Sequence, residues 1–288
     1  SGILTIKGSG SMADYKTFKS PTGKHCSNAP WFAYSAKNMD QNGPNMPLSK
    51  VVIEEGVTHI GAYSFAFCEN LSQANMADTV LEIGCRAFYG CDAMEKLLLP
   101  SELTYIGEQA FSCNNLQRIC MPPKVDTIEW YAFEDCNLEA VYFCGDAPTF
   151  WGDDVFSGQH KTITIYYLKG TSGWTDSEAY DAAAGTWNGY KLDTWGEAKF
   201  SGICAAEGNN LTWEIDTQNG ILTIQGNGRM ADYNASWTFA GETFSSAPWF
   251  EYVELIQLLR AEDVDTALKP ISKVIIEDGV TSIGKNAF

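Results

Sequence analysis

Four stretches of this chain carry the same residues at almost the same interval, and that period constrains the fold more than any other feature. Ile60-Gly61 is followed by Phe65, Cys68 and Leu71, and Ile83-Gly84 by Ala87-Phe88, Cys91 and Met94. Ile106-Gly107 leads to Ala110-Phe111, Cys113 and Leu116, and Ile128 to Ala132-Phe133, Cys136 and Leu138. The Ile-to-Ile steps are 23, 23 and 22 residues, and the Cys steps 23, 22 and 23. Between each Cys and the next Ile, apolar residues alternate with outward neighbours, as at Leu97 and Leu99, Ile119 and Met121, and Val141 and Phe143. That is the period of a short strand, and Pro100 and Pro122 suit its end because proline cannot donate to a ladder. The strand of the second unit, Ala74-Asn75-Met76, is weak, and irregular pairing is expected there.

One such unit cannot fold alone. It buries about five apolar side chains at roughly 1.5–3 kcal/mol each, against roughly 1–2 kcal/mol per residue for ordering the backbone. Stacking resolves the deficit by letting each strand join a parallel sheet and each Phe cover the next. Five strands about 4.8 Å apart give an array of only about 20 Å. The Ile-Gly-x-x-Ala-Phe half has room for an irregular crossover or one short helical turn.

A second period is ten times longer. Residues 2–15 recur at 220–233, Ala29-Pro30-Trp31-Phe32 recurs at 247–250, and Ser49-Lys50-Val51 recurs at 272–274 after a five-residue insertion. The chain thus reads as tandem modules, each a cap followed by an array. In the second cap, Leu211–Ile215 and Ile221–Ile224 alternate around Asn219-Gly220, a hairpin signal. The first cap starts at the equivalent of Asn219 and the second array stops at its first Phe. The expectation is a piece of a longer repetitive protein whose ends, Ile3–Ile6 and Val274–Phe288, are covered by another segment or by end-to-end self-association. A closing strand is expected over 162–167, a loop-like aromatic linker over 170–195, and a helix over 251–262.

These residues resemble the BspA-like, Treponema-type leucine-rich repeats, over about 48–145 and again at 274–288. The resemblance implies a leucine-rich-repeat solenoid of right-handed β/α-type coils, with short strands, irregular or short helical crossovers and β-hairpin-rich caps. The expected divisions are a partial cap at 1–47, an array with its closing strand at 48–168 and an aromatic cap and linker at 169–199. A complete second cap at 200–270 and the start of a second array at 271–288 follow. The resemblance further implies a non-catalytic, extracellular, cell-surface protein of a host-associated microbe that binds host or microbial surface proteins or glycans.

Composition narrows the partners. A net charge of −17 disfavours nucleic acid, which the chain would repel rather than bind by counterion release, and anionic membrane surfaces likewise. No apolar run approaches the roughly 18 residues of a membrane span. His25, His59 and His160 stand at unrelated positions of the repeat and suggest surface histidines rather than a catalytic base. No cofactor is expected. Gly8-Ser9-Gly10 and Gly226-Asn227-Gly228 lack the Lys and the helix of a phosphate cradle, and Asp146, Asp153 and Asp154 lack EF-hand spacing.

Cys68, Cys91, Cys113 and Cys136, one per coil beside Phe65, Phe88, Phe111 and Phe133, form a line where zinc needs convergence. A ladder of buried thiols is the plain reading. Bridges between adjacent coils remain open, since one strand spacing is bridgeable. The better site candidate is the outward, concave face of the strands. One column holds Lys50, Gln73, Lys96, Arg118 and Ala140, and the next Val52, Asn75, Leu98, Cys120 and Tyr142. Residues 51–140 carry 14 acidic and 4 basic side chains, so a basic line beside an apolar one with a Tyr suits a ligand with acidic and apolar parts. Balancing of neighbouring carboxylates such as Glu95 and Glu139 is the plainer account of that line. An alternative is a sugar-stacking platform of Trp174, Trp187 and Trp195, and a structural spacer on the cell wall is a third reading.

Overall fold

The computed structural model describes residues 2–32, 47–95, 97–159, 162–168, 170–195, 200–206, 211–217, 219–233, 235–239, 242–245, 270–285 and 287–288. The chain divides into two compact units, Ser1–Asp193 and Thr194–Phe288.

In the first unit, every coil but the third gives one strand to each of two parallel ladders, and the third gives a strand to the second ladder only. One ladder begins with Ile3–Ile6, Lys50–Ile53 and Gln73–Met76. It resumes with Arg118–Met121, Ala140–Phe143 and Thr164–Leu168, all parallel and in register. The sheet then finishes with Tyr190–Trp195, Thr186–Trp187 and Tyr180–Asp181, the last three antiparallel. The other ladder runs Gly10–Ser11, Val57–Ile60, Glu82–Ile83, Tyr105–Ile106, Thr127–Ile128 and Phe150–Trp151, parallel throughout. The expected weak strand at Ala74–Met76 is paired, and the irregularity lies one coil later. Leu97 and Leu99 are buried, but the segment 97–100 forms no strand.

The crossovers correct the expectation of short helices: among the described residues there is no α-helix. Each crossover is a pair of turns flanking the Phe, and its two bends use the left-handed region. Two residues before the Phe stand Tyr63, Arg86, Gln109, Tyr131 and Asp154, with φ of 55°, 53°, 51°, 59° and 55°. Two residues after it stand Phe67, Gly90, Cys113, Asp135 and Gly158, with φ of 62°, 66°, 61°, 51° and 70°. These conformations turn amides toward the next coil instead of back along a helix. The amides of Arg86, Phe88 and Gly90 donate to the carbonyls of Glu108, Ala110 and Ser112 at 2.8–2.9 Å. Those of Gln109, Phe111 and Cys113 donate likewise to Trp130, Ala132 and Glu134 at 2.8–3.1 Å. These bonds between coils offset the cost of roughly 1–3 kcal/mol that a non-glycine residue pays there.

Between the ladders and the turns lies one core. Phe65, Phe88, Phe111 and Phe133 are fully buried and stacked, with centroids 5.1, 5.4 and 5.3 Å apart and planes within 19°. Trp31 extends the stack onto Phe65 at 5.5 Å and donates from Nε1 to the Ser64 carbonyl at 2.7 Å. At the other end Phe156 meets Phe133 at 5.6 Å. Trp151-Gly152 and Val155-Phe156 thus form a fifth coil, which sequence reading misses because Trp replaces Ile, Val replaces Ala and Gln159 replaces Cys. Glycine after the Ile column lets the coils approach: a Cβ on Gly107 would lie 2.7 Å from the Cys85 amide.

The second unit repeats the start of the first. Phe200–Ile203, Leu211–Asp216 and Ile221–Gly226 form an antiparallel sheet that includes the expected hairpin, and Lys273–Ile276 adds parallel to Ile221–Gly226. Its register, Ile221 opposite Lys273, reproduces Ile3 opposite Lys50. Asp232 Oδ1 accepts the Lys285 amide at 2.7 Å, just as Asp14 Oδ1 accepts the Ala62 amide at 2.7 Å. The expected helix at 251–262 and the second Ala-Pro-Trp-Phe lie outside the described residues.

Candidate functional site

The outward face of the first ladder is divided in two. Lys50 stands opposite Gln73, and Val52 opposite Asn75. Gln73 and Asn75 are exposed, whereas Lys50 and Val52 are half-buried. Further along, Arg118 stands opposite Ala140, and Cys120 opposite Tyr142, which itself faces Tyr166. Lys96 lies outside the described residues, and the half-buried Leu98 sits in the stretch without a strand. The two expected columns are therefore interrupted at the third coil, and Lys50 and Gln73 are not joined to Arg118 by a continuous ladder.

The second half is the better-defined surface. Tyr142 and Tyr166 are half-buried and stacked, with centroids 4.9 Å apart and planes 14° from parallel. They present an aromatic step beside exposed Arg118. Sequence reading names Tyr142 but not Tyr166, whose place became visible once Thr164–Leu168 paired with Ala140–Phe143. Cys120, expected outward, is 5 % exposed, and its Sγ lies 2.9 Å from that of Cys144.

The tryptophan platform is corrected. Trp174 and Trp187 are buried at the closing end of the array, 4.9 Å apart, among Phe143, Trp151 and Tyr167. Their Nε1 groups donate to the carbonyls of Gly145 and Gly173 at 3.2 and 3.1 Å. Their faces seal the last coil and offer nothing to a sugar. Trp195 belongs to the strand Tyr190–Trp195, and its side chain lies outside the described residues.

The thiol ladder holds at three of its four places. Cys68, Cys91 and Cys136 are buried, and the Sγ of Cys91 and Cys136 donate to the carbonyls of Phe65 and Phe111 at 3.3 and 3.2 Å. Cys113 departs from the column. It stands two residues after its Phe, at the left-handed bend, and is half-buried, while Asn114 stands three after, at the core position that Cys68, Cys91 and Cys136 hold in their coils. In the fifth coil, Gln159 Nε2 donates to the Phe133 carbonyl at 2.7 Å, in the manner of the thiols. Burial pushes the Cys136 thiol up to about 12 and the Cys91 thiol well above its ordinary value.

Two surface features carry no motif. Along the turns, the Arg86 guanidinium donates to the Tyr63 hydroxyl at 2.8 Å and from Nε to Gln109 Oε1 at 2.6 Å, and Gln109 donates to Glu134 at 2.8 Å. The signal that marks this row is the 23-residue recurrence of large polar side chains two places before each Phe. On the second ladder, Trp130 and Phe150 are 43 % and 39 % exposed and meet edge to face at 5.6 Å. Nearby, the Tyr105 hydroxyl donates to Glu129 at 3.4 Å, and burial with that carboxylate pushes the phenol up to about 12. His59 Nδ1 lies 3.0 Å from Glu82, His25 stacks on Phe67 at 5.5 Å, and His160 lies outside the described residues. Asp146 is engaged by the Ser172 amide at 2.7 Å. Among the described residues no group of three or more His, Cys, Asp or Glu converges as a metal site.

The family pattern described as a BspA type leucine rich repeat region matches residues 44–163 in six copies. No curated protein sequence matches the chain. A T. pallidum leucine rich repeat protein is 23% identical, covering 44% of this chain and 68% of that one, with a TM-score of 0.34. A leucine-rich repeat protein of Bacteroides ovatus is 18% identical over 99% of this chain and 72% of its own, with a TM-score of 0.41. A leucine rich cell surface protein of Faecalibacterium prausnitzii is 18% identical over 100% of this chain and 66% of its own, with a TM-score of 0.38.

Proposed function

We propose, starting from the match of residues 44–163 to the BspA type leucine rich repeat region, that the chain is a non-catalytic repeat protein that binds another protein through the outward face of its strands. The coils stack as a solenoid, and the strand side is its concave wall. The observation that carries the reading is the Tyr142–Tyr166 stack beside Arg118. Half-exposed aromatics next to an arginine are the residue types that dominate protein interfaces. A basic group on a chain of net charge −17 favours a partner segment with acidic and apolar parts. The setting is the outside of a bacterial cell, where tandem arrays gain avidity from repeated weak contacts.

The test is a binding panel of host matrix proteins with the wild-type chain and the double variant Arg118→Glu, Tyr142→Ala. A partner whose affinity falls at least tenfold in the variant supports this face. Affinity unchanged in a variant that unfolds like the wild type removes it.

A second reading keeps carbohydrate as the ligand but moves it to the other ladder, where exposed Trp130 and Phe150 offer ring faces beside Glu129. A glycan array with Trp130→Ala as the control separates the two readings. Silence on both panels favours a spacer that holds other domains away from the cell.

A further inference from the structure

We infer that Cys120 and Cys144 are a disulfide-forming pair that covalently ties the fourth coil to the fifth. Their Sγ atoms lie 2.9 Å apart, and both residues are buried, at 5 % and 3 % exposure. Closing that gap to a bond of about 2.05 Å needs a movement of roughly 0.9 Å.

The pairing follows from the backbone. Arg118–Met121 and Ala140–Phe143 run parallel with Cys120 opposite Tyr142. Cys144 follows the end of the Ala140–Phe143 strand, and its sulfur meets that of Cys120 across the two chains. A diagonal pair on a regular ladder lies about 7–8 Å apart at Cα, at the edge of what a disulfide spans, and the turns that follow the two strands are held close. The Cys144 amide donates to the Met121 carbonyl at 3.1 Å. Gly145 then lies so close to Pro123 that a Cβ on it would collide with the Pro123 carbonyl oxygen. The far side is pinned as well, because the Gly145 carbonyl accepts from Trp174 Nε1 at 3.2 Å and Asp146 accepts the Ser172 amide at 2.7 Å. Two turns pressed together at Pro123 and Gly145 hold the two sulfurs in contact. The thiols of the core column are engaged differently: those of Cys91 and Cys136 donate to backbone carbonyls.

The oxidant is a low-molecular-weight disulfide such as oxidised glutathione. One cysteine thiolate attacks a glutathione sulfur and releases the first glutathione thiolate. The other cysteine thiolate then attacks the mixed disulfide and releases the second. Two cysteine thiols lose two protons and two electrons, and one oxidised glutathione becomes two reduced ones.

The experiment uses the full chain, incubated with oxidised glutathione, quenched in acid, unfolded and titrated for free thiols. Glutathione adducts are distinguished by mass. Seven of the nine cysteines remain titratable in the wild type, and all eight that remain in Cys120→Ser or Cys144→Ser. Tryptic digestion links the peptide 119–124 to the peptide 125–161, with fragmentation placing the bond on Cys144 rather than Cys136. The oxidised wild type melts above its reduced form, a difference absent from both serine variants. Nine free thiols in oxidised wild-type protein overturn the assignment, and so does a linkage that leaves out Cys120 or Cys144. Because the thiol count and the peptide map are read on the wild type, the outcome stands even where a serine variant fails to fold.

Discussion

The side-chain oxygen of Asn114 accepts the amide of Cys91 from one coil away at 2.8 Å. It does so from the core position that Cys91 and Cys136 hold in their own coils, and its Nδ2 is buried without a partner. An amide stands there in place of a thiol, three residues after Phe111 just as Cys91 and Cys136 stand three after Phe88 and Phe133.

Removing that oxygen strands a buried amide. Asn114→Ala is expected to lower stability by about 1–3 kcal/mol, the cost of leaving a buried donor unpaired. Urea unfolding followed by circular dichroism measures it, and a loss below about 0.5 kcal/mol would show that the Cys91 amide finds another acceptor.

The Phe stack is the most expensive place to cut. Phe111 is fully buried between Phe88 and Phe133, at 5.4 and 5.3 Å. Phe111→Ala removes contacts on both sides, for a loss of about 3–5 kcal/mol. Phe111→Leu, which refills most of the volume, loses less. Equal midpoints for the two variants in denaturant would contradict a stacked core.

Thiol titration gives the array a pH limit. Burial raises the Cys136 thiol to about 12 and the Cys91 thiol well above the ordinary value of about 9. The folded state therefore holds protons that the unfolded state releases. This contribution is complete below pH 9 and is lost as pH rises from 9 toward 12, by up to about 1.4 kcal/mol per pH unit for each such group. The urea midpoint is expected to be flat from pH 7 to 8.5 and to fall above pH 9, less steeply in Cys136→Ala. In native protein at pH 8, iodoacetamide is expected to label half-buried Cys85 and Cys113 before Cys68, Cys91 or Cys136.

The left-handed bends can be tested by exchange. Asp154 holds φ at 55°, so Asp154→Gly is expected to be neutral or to stabilise by up to about 1 kcal/mol. Gly90 holds φ at 66° with the Phe67 ring 3.4 Å from where a Cβ would stand, so Gly90→Ala is expected to destabilise by about 1 kcal/mol or more. Thermal melts should place Gly90→Ala below the wild type and Asp154→Gly at or above it. A loss in both would mean that the Asp154 side chain outweighs its backbone strain.

The strands and the Phe column were legible because burial repeats with the chain: each Ile, Phe and Leu of the period points inward. The turns were not, because Tyr63, Arg86, Gln109 and Tyr131 adopt a conformation that propensity assigns to glycine or asparagine. Only the carbonyls of the next coil make that conformation favourable, and these are invisible in one unit. The fifth coil was hidden by substitutions that keep its shape, Trp151 for Ile and Gln159 for Cys. On the proposed face, Tyr142 could be read from strand alternation. Cys144 could not, since its approach to Cys120 depends on Gly145 meeting Pro123. Trp174 and Trp187 resembled a platform because tryptophan in a Gly-rich linker carries no sign of which way it faces.

The three amide bonds that each turn sends to the next have a consequence for how such a chain can change length. Every joint presents the same donors and acceptors, so residues 87–109 could be excised whole, bringing Phe65 against Phe111 with no new kind of contact. The number of coils is then a quantity free to drift by duplication and loss, while the joint itself is held fixed. A single-residue deletion has no such freedom. The steps from Phe111 to Leu116 and from Phe133 to Leu138 are each one residue shorter than those from Phe65 to Leu71 and from Phe88 to Met94, and each loss is absorbed between the core position held by Asn114 or Cys136 and the Leu that follows, leaving the bends at Cys113 and Asp135 in place.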